Sequence, residues 1–154
     1  MRGSSGFVEG DGPEPCLGMI VGIAPGAKEV QEGKPFVGPA GDTLNEALSA
    51  AHASRRDFYI TNVYKLKTEY NRNPTDDEIR EHAECLLDEL KKVRPHVILL
   101  LGDIPQRTFG LLRDEKLVPT RHPSWVRRWG KEKDKVEFRS DVEKFVRLVE
   151  QCAR

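Results

Sequence analysis

The amino-acid sequence predicts a three-layer α/β/α domain with a short, mainly parallel central sheet. Residues 17–23 (LGMIVGI), 58–63 (FYITNV) and 96–101 (HVILLL) are almost continuously apolar, as strands covered on both faces are. Between and after them, apolar residues recur at helical spacing. The length of 154 residues suits one domain with a core on each side of a sheet. Strands that alternate with helices pair in parallel through right-handed crossovers, and such sheets bind ligands at the carboxyl ends of their strands.

Taken in order, residues 1–16 (MRGSSGFVEGDGPEPC) are rich in Gly, Ser, Pro and acid and read as a flexible lead-in to a domain spanning 17–154. The first apolar run ends in Ala24-Pro25-Gly26, a tight turn. Residues 43–53 carry Leu44, Ala47, Leu48 and Ala51 on one helical face. Residues 75–93 do the same with Ile79, Ala83, Leu86, Leu87 and Leu90. This second helix opens with Thr75-Asp76-Asp77-Glu78, a capping box in which Thr75 and Glu78 satisfy each other's backbone N–H groups. A short helix follows Gly102, and residues 136–152 close the domain with Val136, Val142, Phe145, Val146 and Val149 as the apolar stripe.

With 38% hydrophobic and 32% charged residues, the core must come from these few segments. Lys plus Arg (25) equals Asp plus Glu (25), which excludes a whole-surface positive field and leaves nucleic-acid contact to a local patch. No run approaches the roughly 18–20 apolar residues that span a bilayer, and the polar start lacks the apolar stretch of a secretory signal. The expectation is a soluble intracellular protein, cytoplasmic or nucleoid-associated. Cys16, Cys85 and Cys152 are widely spaced with no CxxC pair, and read as reduced thiols.

Chemistry-bearing residues gather at the strand ends. Gly22-Ile23-Ala24-Pro25-Gly26 follows the first strand, and Gly33-Lys34-Pro35-Phe36-Val37-Gly38-Pro39-Ala40-Gly41 comes next. Thr61-Asn62-Val63-Tyr64-Lys65 ends the second strand, with Asn71-Arg72-Asn73-Pro74-Thr75 beyond it. Arg121-His122-Pro123-Ser124 then precedes Trp125-Val126-Arg127-Arg128. Asn62 offers an amide donor and acceptor at a strand end, Phe36 a stacking surface on a Gly-bounded loop, and His122 a fixed donor beside a proline. His52, His82 and His96 lack such a context and are read as structural.

In order and approximate spacing, these segments resemble the iron-sulfur type (family four) of uracil-DNA glycosylases, over about residues 18–128. The resemblance implies an enzyme that takes uracil out of the DNA stack, which requires a stacking surface and a hydrogen-bonding pocket to recover the cost of extrusion. Phe36 would stack on the base and Asn62 would read it, because uracil presents O4 as acceptor and N3–H as donor whereas cytosine reverses both. His122 would hydrogen-bond uracil O2, where negative charge gathers as the N-glycosidic bond breaks. Gly22, Ile23, Ala24, Pro25 and Gly26 would form the pocket floor. Ser124 to Arg128 would be the loop that meets the minor groove, with Trp125 or Val126 as wedge and Arg121, Arg127 and Arg128 on phosphates. The partner so implied is uracil-containing DNA, single- or double-stranded, and the protein is expected to be a monomer.

The chain departs from this family in two ways. Active relatives carry Glu or Asp in the first motif to handle the attacking water, where this chain has Ile23 and Ala24; Glu29 and Asp42 are the substitutes within reach. Relatives also hold a [4Fe-4S] cluster on four cysteines, of which only Cys85 has a counterpart here; Leu66 occupies the second-motif position and no CxxC precedes Gly22. No cofactor and no metal are therefore expected. The rival expectations are a uracil- or damage-binding protein without catalysis, and a hydrolase for another modified base. The span 102–122 is expected to be too short for further strands before His122.

Overall fold

The computed structural model describes residues 6–110 and 115–153. Four strands form one sheet: β1 (Gly18–Gly22), β2 (Tyr59–Asn62), β3 (Val97–Leu101) and β4 (Lys116–Thr120). Their order is β2-β1-β3-β4 and every pair is parallel. Alternate side chains of the inner strands feed two cores. Ile20, Val97, Leu99 and Leu101 point to one face, Met19, Val21, Ile98 and Leu100 to the other. Helices α2 (Pro39–Ala50), α6 (Pro123–Trp129) and α7 (Glu132–Cys152) cover the first face through Leu44, Leu48, Val126, Phe138, Val142 and Phe145. Helices α4 (Ala83–Val93) and α5 (Asp103–Phe109) cover the second through Leu86, Val93, Ile104 and Phe109. The expected three-layer α/β/α fold is present.

The structure corrects several expected elements, each for a local reason. The capping box forms, with Glu78 N–H donating to Thr75 Oγ1 at 3.2 Å and Thr75 N–H to Glu78 Oε1 at 2.8 Å. The helix it opens, α3 (Asp76–Glu81), nevertheless breaks at His82 before α4 begins. The break shifts the phase of the apolar face, so Leu87 stands 53% exposed and Leu86 is buried. On α7 the stripe is Phe138, Val142, Phe145 and Val146, and Val136 is exposed. Helix α2 starts four residues earlier than its apolar spacing suggests, because Pro39 occupies the first helical turn after Gly38. Two helices were not expected: α1 (Ala27–Glu32) has too few residues for periodicity to show, and α6 forms where a loop is expected. The span 102–122 does hold a further strand; β4 is an edge strand whose Pro119 and half-exposed pattern conceal it in the sequence.

Residues 6–16 are not a loose lead-in. Asp11 pairs antiparallel with Ile60 through two backbone hydrogen bonds of 2.9 Å, covering the free edge of β2, while Val8 and Cys16 are buried. Residues 1–5 lie outside the described ones. Among the described residues no helix is long and apolar enough to cross a membrane.

Candidate active site

A cavity of about 440 Å³ lies at the carboxyl ends of β1, β2 and β4. The chain leaves β1 and β3 towards opposite faces of the sheet, so a crevice opens between their ends. Ile23, Ala24, Pro25, Gly26, Phe36, Asn62, His122, Ser124, Arg127 and Arg128 all line it. Residues more than 60 positions apart in the sequence therefore share one wall. Of the lining residues, Ala27, Lys28 and Thr68 fall outside every motif singled out in the sequence.

Asn62 is the last residue of β2, paired in register with Gly22. Two further bonds, Val63 N–H to Gly22 O at 3.0 Å and Tyr64 N–H to Ile23 O at 2.9 Å, carry the two motifs past the sheet side by side. Asn62 is 2% exposed, and its Oδ1 has no hydrogen-bond partner. A buried amide oxygen without a partner is costly in a folded protein and leaves an acceptor free; Asn45 Oδ1 is also unpaired, but only Asn62 lines the cavity. Gly22 is required here: a Cβ at this position would lie 2.4 Å from Phe36 Cζ and 2.6 Å from Asn62 Oδ1. Gly22 thus shapes the site from beneath without lining the cavity itself.

Phe36 adopts φ 53°, a left-handed conformation that is unfavourable for a side chain of its size. Two charged side chains hold it there. The Glu29 carboxylate accepts from Gly26 N–H (3.0 Å) with one oxygen and from Val37 N–H (3.0 Å) and Gly38 N–H (2.7 Å) with the other. The Arg55 guanidinium donates to Phe36 O (2.5 Å) and Pro35 O (2.8 Å). Glu29 therefore ties the first-motif turn to the Phe36 loop, with three of its acceptor sites taken by backbone N–H groups. Gly26 N–H is likewise spent on Glu29 and does not face a ligand. Asp42 stands exposed in the first turn of α2, outside the cavity lining. Of the two carboxylates, Glu29 lines the cavity and Asp42 does not.

His122 caps α6, and its Nδ1 accepts from Ser124 N–H at 3.1 Å. That bond leaves the proton on Nε2, so the neutral ring keeps a donor for the cavity. Burial lowers its pKa to about 4, so the ring is neutral near pH 7. Its ring centroid lies 5.8 Å from that of Phe36. Gly102, at φ 100°, supports it: a Cβ there would meet His122 Cβ and Ile23 Cδ1 at 3.3 Å.

The segment 124–128 is helical, which divides its residues between two surfaces. Val126 is 2% exposed and belongs to the core, so it is removed from the DNA-facing candidates. Trp125 is partly exposed beneath the Arg121 guanidinium, 4.3 Å from the ring centroid. Trp129, one turn further along α6, is 68% exposed and was missed; once 124–128 is helical, Trp-x-x-x-Trp spacing places both rings on one side. Opposite, Arg72 is held by two bonds to Glu78 (2.7 and 3.1 Å), which pull the Glu78 carboxyl down to about 2. Among the charged residues lining the cavity, Lys28, Arg72, Arg127 and Arg128 face one carboxylate, that of Glu29.

The sequence model of the uracil DNA glycosylase superfamily matches residues 10–146. The chain belongs to this superfamily. It is 40% identical over 129 residues to a type-4 uracil-DNA glycosylase of Archaeoglobus fulgidus, covering 81% of this chain and 65% of that protein. It is 34% identical over 137 residues to one from Thermotoga maritima (79% and 71%), and 41% identical over 113 residues to one from Pyrobaculum aerophilum (71% and 58%). The chain thus spans about two thirds or less of most of these relatives. A segment of the DNA polymerase of Bacillus phage SP01 is 30% identical over 98 residues, 11% of that protein. The iron-sulfur cluster that the resemblance to the family-four enzymes implies finds a poor donor set here. At the matching positions stand Leu66 and the single thiol of Cys85, while Cys16 is bound to Gly18 O and Asp57 O at the amino end of the sheet. Among the described residues no three His, Cys, Asp or Glu side chains are grouped to hold a metal ion. Four thiolates are the ordinary requirement, and the residues present do not fit it.

Proposed function

We propose that this protein is a DNA glycosylase that flips uracil out of DNA and hydrolyses its N-glycosidic bond, working as a monomer and without a cofactor. The observation that carries the reading is the buried, unpaired Asn62 Oδ1 in a cavity shared with Phe36 and His122. Uracil N3–H supplies the missing donor and uracil O4 accepts from Nδ2, whereas cytosine would set acceptor against acceptor. As the C1′–N1 bond breaks, its electron pair moves into the ring towards O2, where the Nε2–H of His122 donates. Water then forms the new bond to C1′ and gives its proton to solvent, and the uracil anion takes up a proton from solvent, leaving free uracil and an abasic site. No carboxylate assists the water; leaving-group stabilisation and the substrate's own phosphates carry the barrier. Trp125, Trp129, Arg127 and Arg128 contact the DNA beside the extruded nucleotide.

The test is release of free uracil from a single-uracil oligonucleotide. His122→Ala should lower the rate about 100- to 1,000-fold, as removal of one donor to a developing anion does. Unchanged release by that variant would refute the role of His122. The second reading, a uracil-binding protein without catalysis, is favoured by apolar Ile23 and Ala24 and by the commitment of Glu29 to backbone N–H groups. It predicts uracil-dependent retention of the oligonucleotide with no alkali-labile site.

A further inference from the structure

Behind Asn62, on the side of β2 away from the cavity, a buried network holds the strand end. Lys65 Nζ donates to Asn62 O and Thr61 Oγ1 (2.6 Å each) and pairs with Glu89 Oε1 (2.5 Å). Glu89 Oε2 accepts from Tyr59 OH and Thr61 Oγ1, both at 2.8 Å. The backbone of Lys65 is held on both sides: its N–H donates to His82 Nδ1 at 2.8 Å, and its carbonyl accepts from Val8 N–H at 2.8 Å. His82 itself stacks on Tyr64 (4.4 Å, 20°) and meets Phe7 edge-on (5.6 Å, 62°).

Leu66 follows Lys65 and Cys85 lies one helical turn beyond His82; these are the two positions that the resemblance to the iron-sulfur glycosylases assigns to cluster ligands. We infer that the Phe7–His82–Tyr64 stack, bonded to Lys65, takes the place of a metal cluster as the support that fixes Asn62 for reading the base. His82 is then a positioning residue. It acts through the Lys65 backbone and never touches substrate. The break between α3 and α4 at His82 turns its ring inward to this site, and the ordering of residues 6–11 along β2 brings Phe7 and Val8 to it. The inference rests on the glycosylase reading for its kinetic part only.

Protein purified anaerobically should contain no stoichiometric iron or acid-labile sulfide, and a chelator should leave its melting temperature unchanged. In His82→Phe, which keeps a ring and removes the acceptor, the Lys65 amide should exchange with solvent about tenfold or more faster. The turnover rate on uracil DNA should fall about tenfold with KM little changed, because DNA is gripped at α6. His82→Asn, which restores an acceptor, should recover most of both. Phe7→Ala is the milder variant should His82→Phe not fold, and should shift both readouts in the same direction. About four irons per chain would overturn the inference. So would unchanged Lys65 exchange in the variants. If the wild type releases no uracil, the glycosylase reading has failed, and Lys65 exchange together with retention of uracil-containing DNA decides the support role alone.

Discussion

In the proposed reaction Asn62 and His122 carry most of the chemistry, and both positions were legible in the sequence because each belongs to a short polar motif beside an apolar run. What the sequence withheld was their state. That Asn62 Oδ1 lacks a partner, and that His122 Nδ1 is occupied by Ser124 N–H, depend on the distant approach of β1 and the start of α6. Two expectations follow. Asn62→Asp replaces a donor with a second acceptor against uracil O4, and should lower kcat/KM for uracil by about a hundredfold or more while shifting preference towards cytosine. Release assays on matched uracil and cytosine oligonucleotides measure it. For His122, the folded pKa lies below the unfolded one near 6.5. Its contribution to stability is therefore complete above about pH 6.5 and is lost as pH falls towards 4. Its ring resonances should titrate near 4, and His122→Gln should flatten the loss of melting temperature across that interval. A midpoint near 6.5 would contradict a ring held neutral by desolvation.

Among the elements, the strands and long helices were readable because burial on both faces and helical periodicity are strong local signals. The short helices α1 and α6 and the edge strand β4 were not, since six- or seven-residue helices barely repeat and Pro119 masks a strand. Asp42 and Glu29 looked alike as carboxylates near the turns. Only the fold separates an exposed first-turn acid from one that spans two loops. The Glu29–Arg55 clamp has a measurable consequence, because the two side chains hold opposite sides of the same strained Phe36 segment. Glu29→Gln and Arg55→Ala should each lower turnover about tenfold, with losses that fail to add in the double variant. Were Glu29 instead the base for water, Glu29→Gln would abolish turnover and Arg55→Ala would leave it nearly intact. Measured turnover in the three variants separates a positioning acid from a proton acceptor.

At the scale of the molecule, equal numbers of acidic and basic residues mean that any attraction to DNA must be local. The basic rim of the cavity meets this need unevenly. Arg72 is occupied by Glu78, whereas Arg127 and Arg128 form no ion pair among the described residues and stand exposed on α6 beside Trp125 and Trp129. With Lys28, Arg127 and Arg128 as the cations of this rim outside any ion pair among the described residues, the salt dependence should be shallow, since each neutralised phosphate of duplex DNA contributes a slope of about −0.9 in log K against log salt. Replacing Arg127 and Arg128 by Gln should reduce the magnitude of that slope by about 2 and weaken uracil-containing and ordinary duplexes alike. Trp125→Ala, by contrast, should leave the slope unchanged and weaken uracil-containing DNA selectively, because an aromatic beside the extruded nucleotide offsets unstacking and holds no counterion site. Binding isotherms at several salt concentrations distinguish the two surfaces. An unchanged slope in the Arg127/Arg128 variant would move the phosphate contacts to another face of the protein.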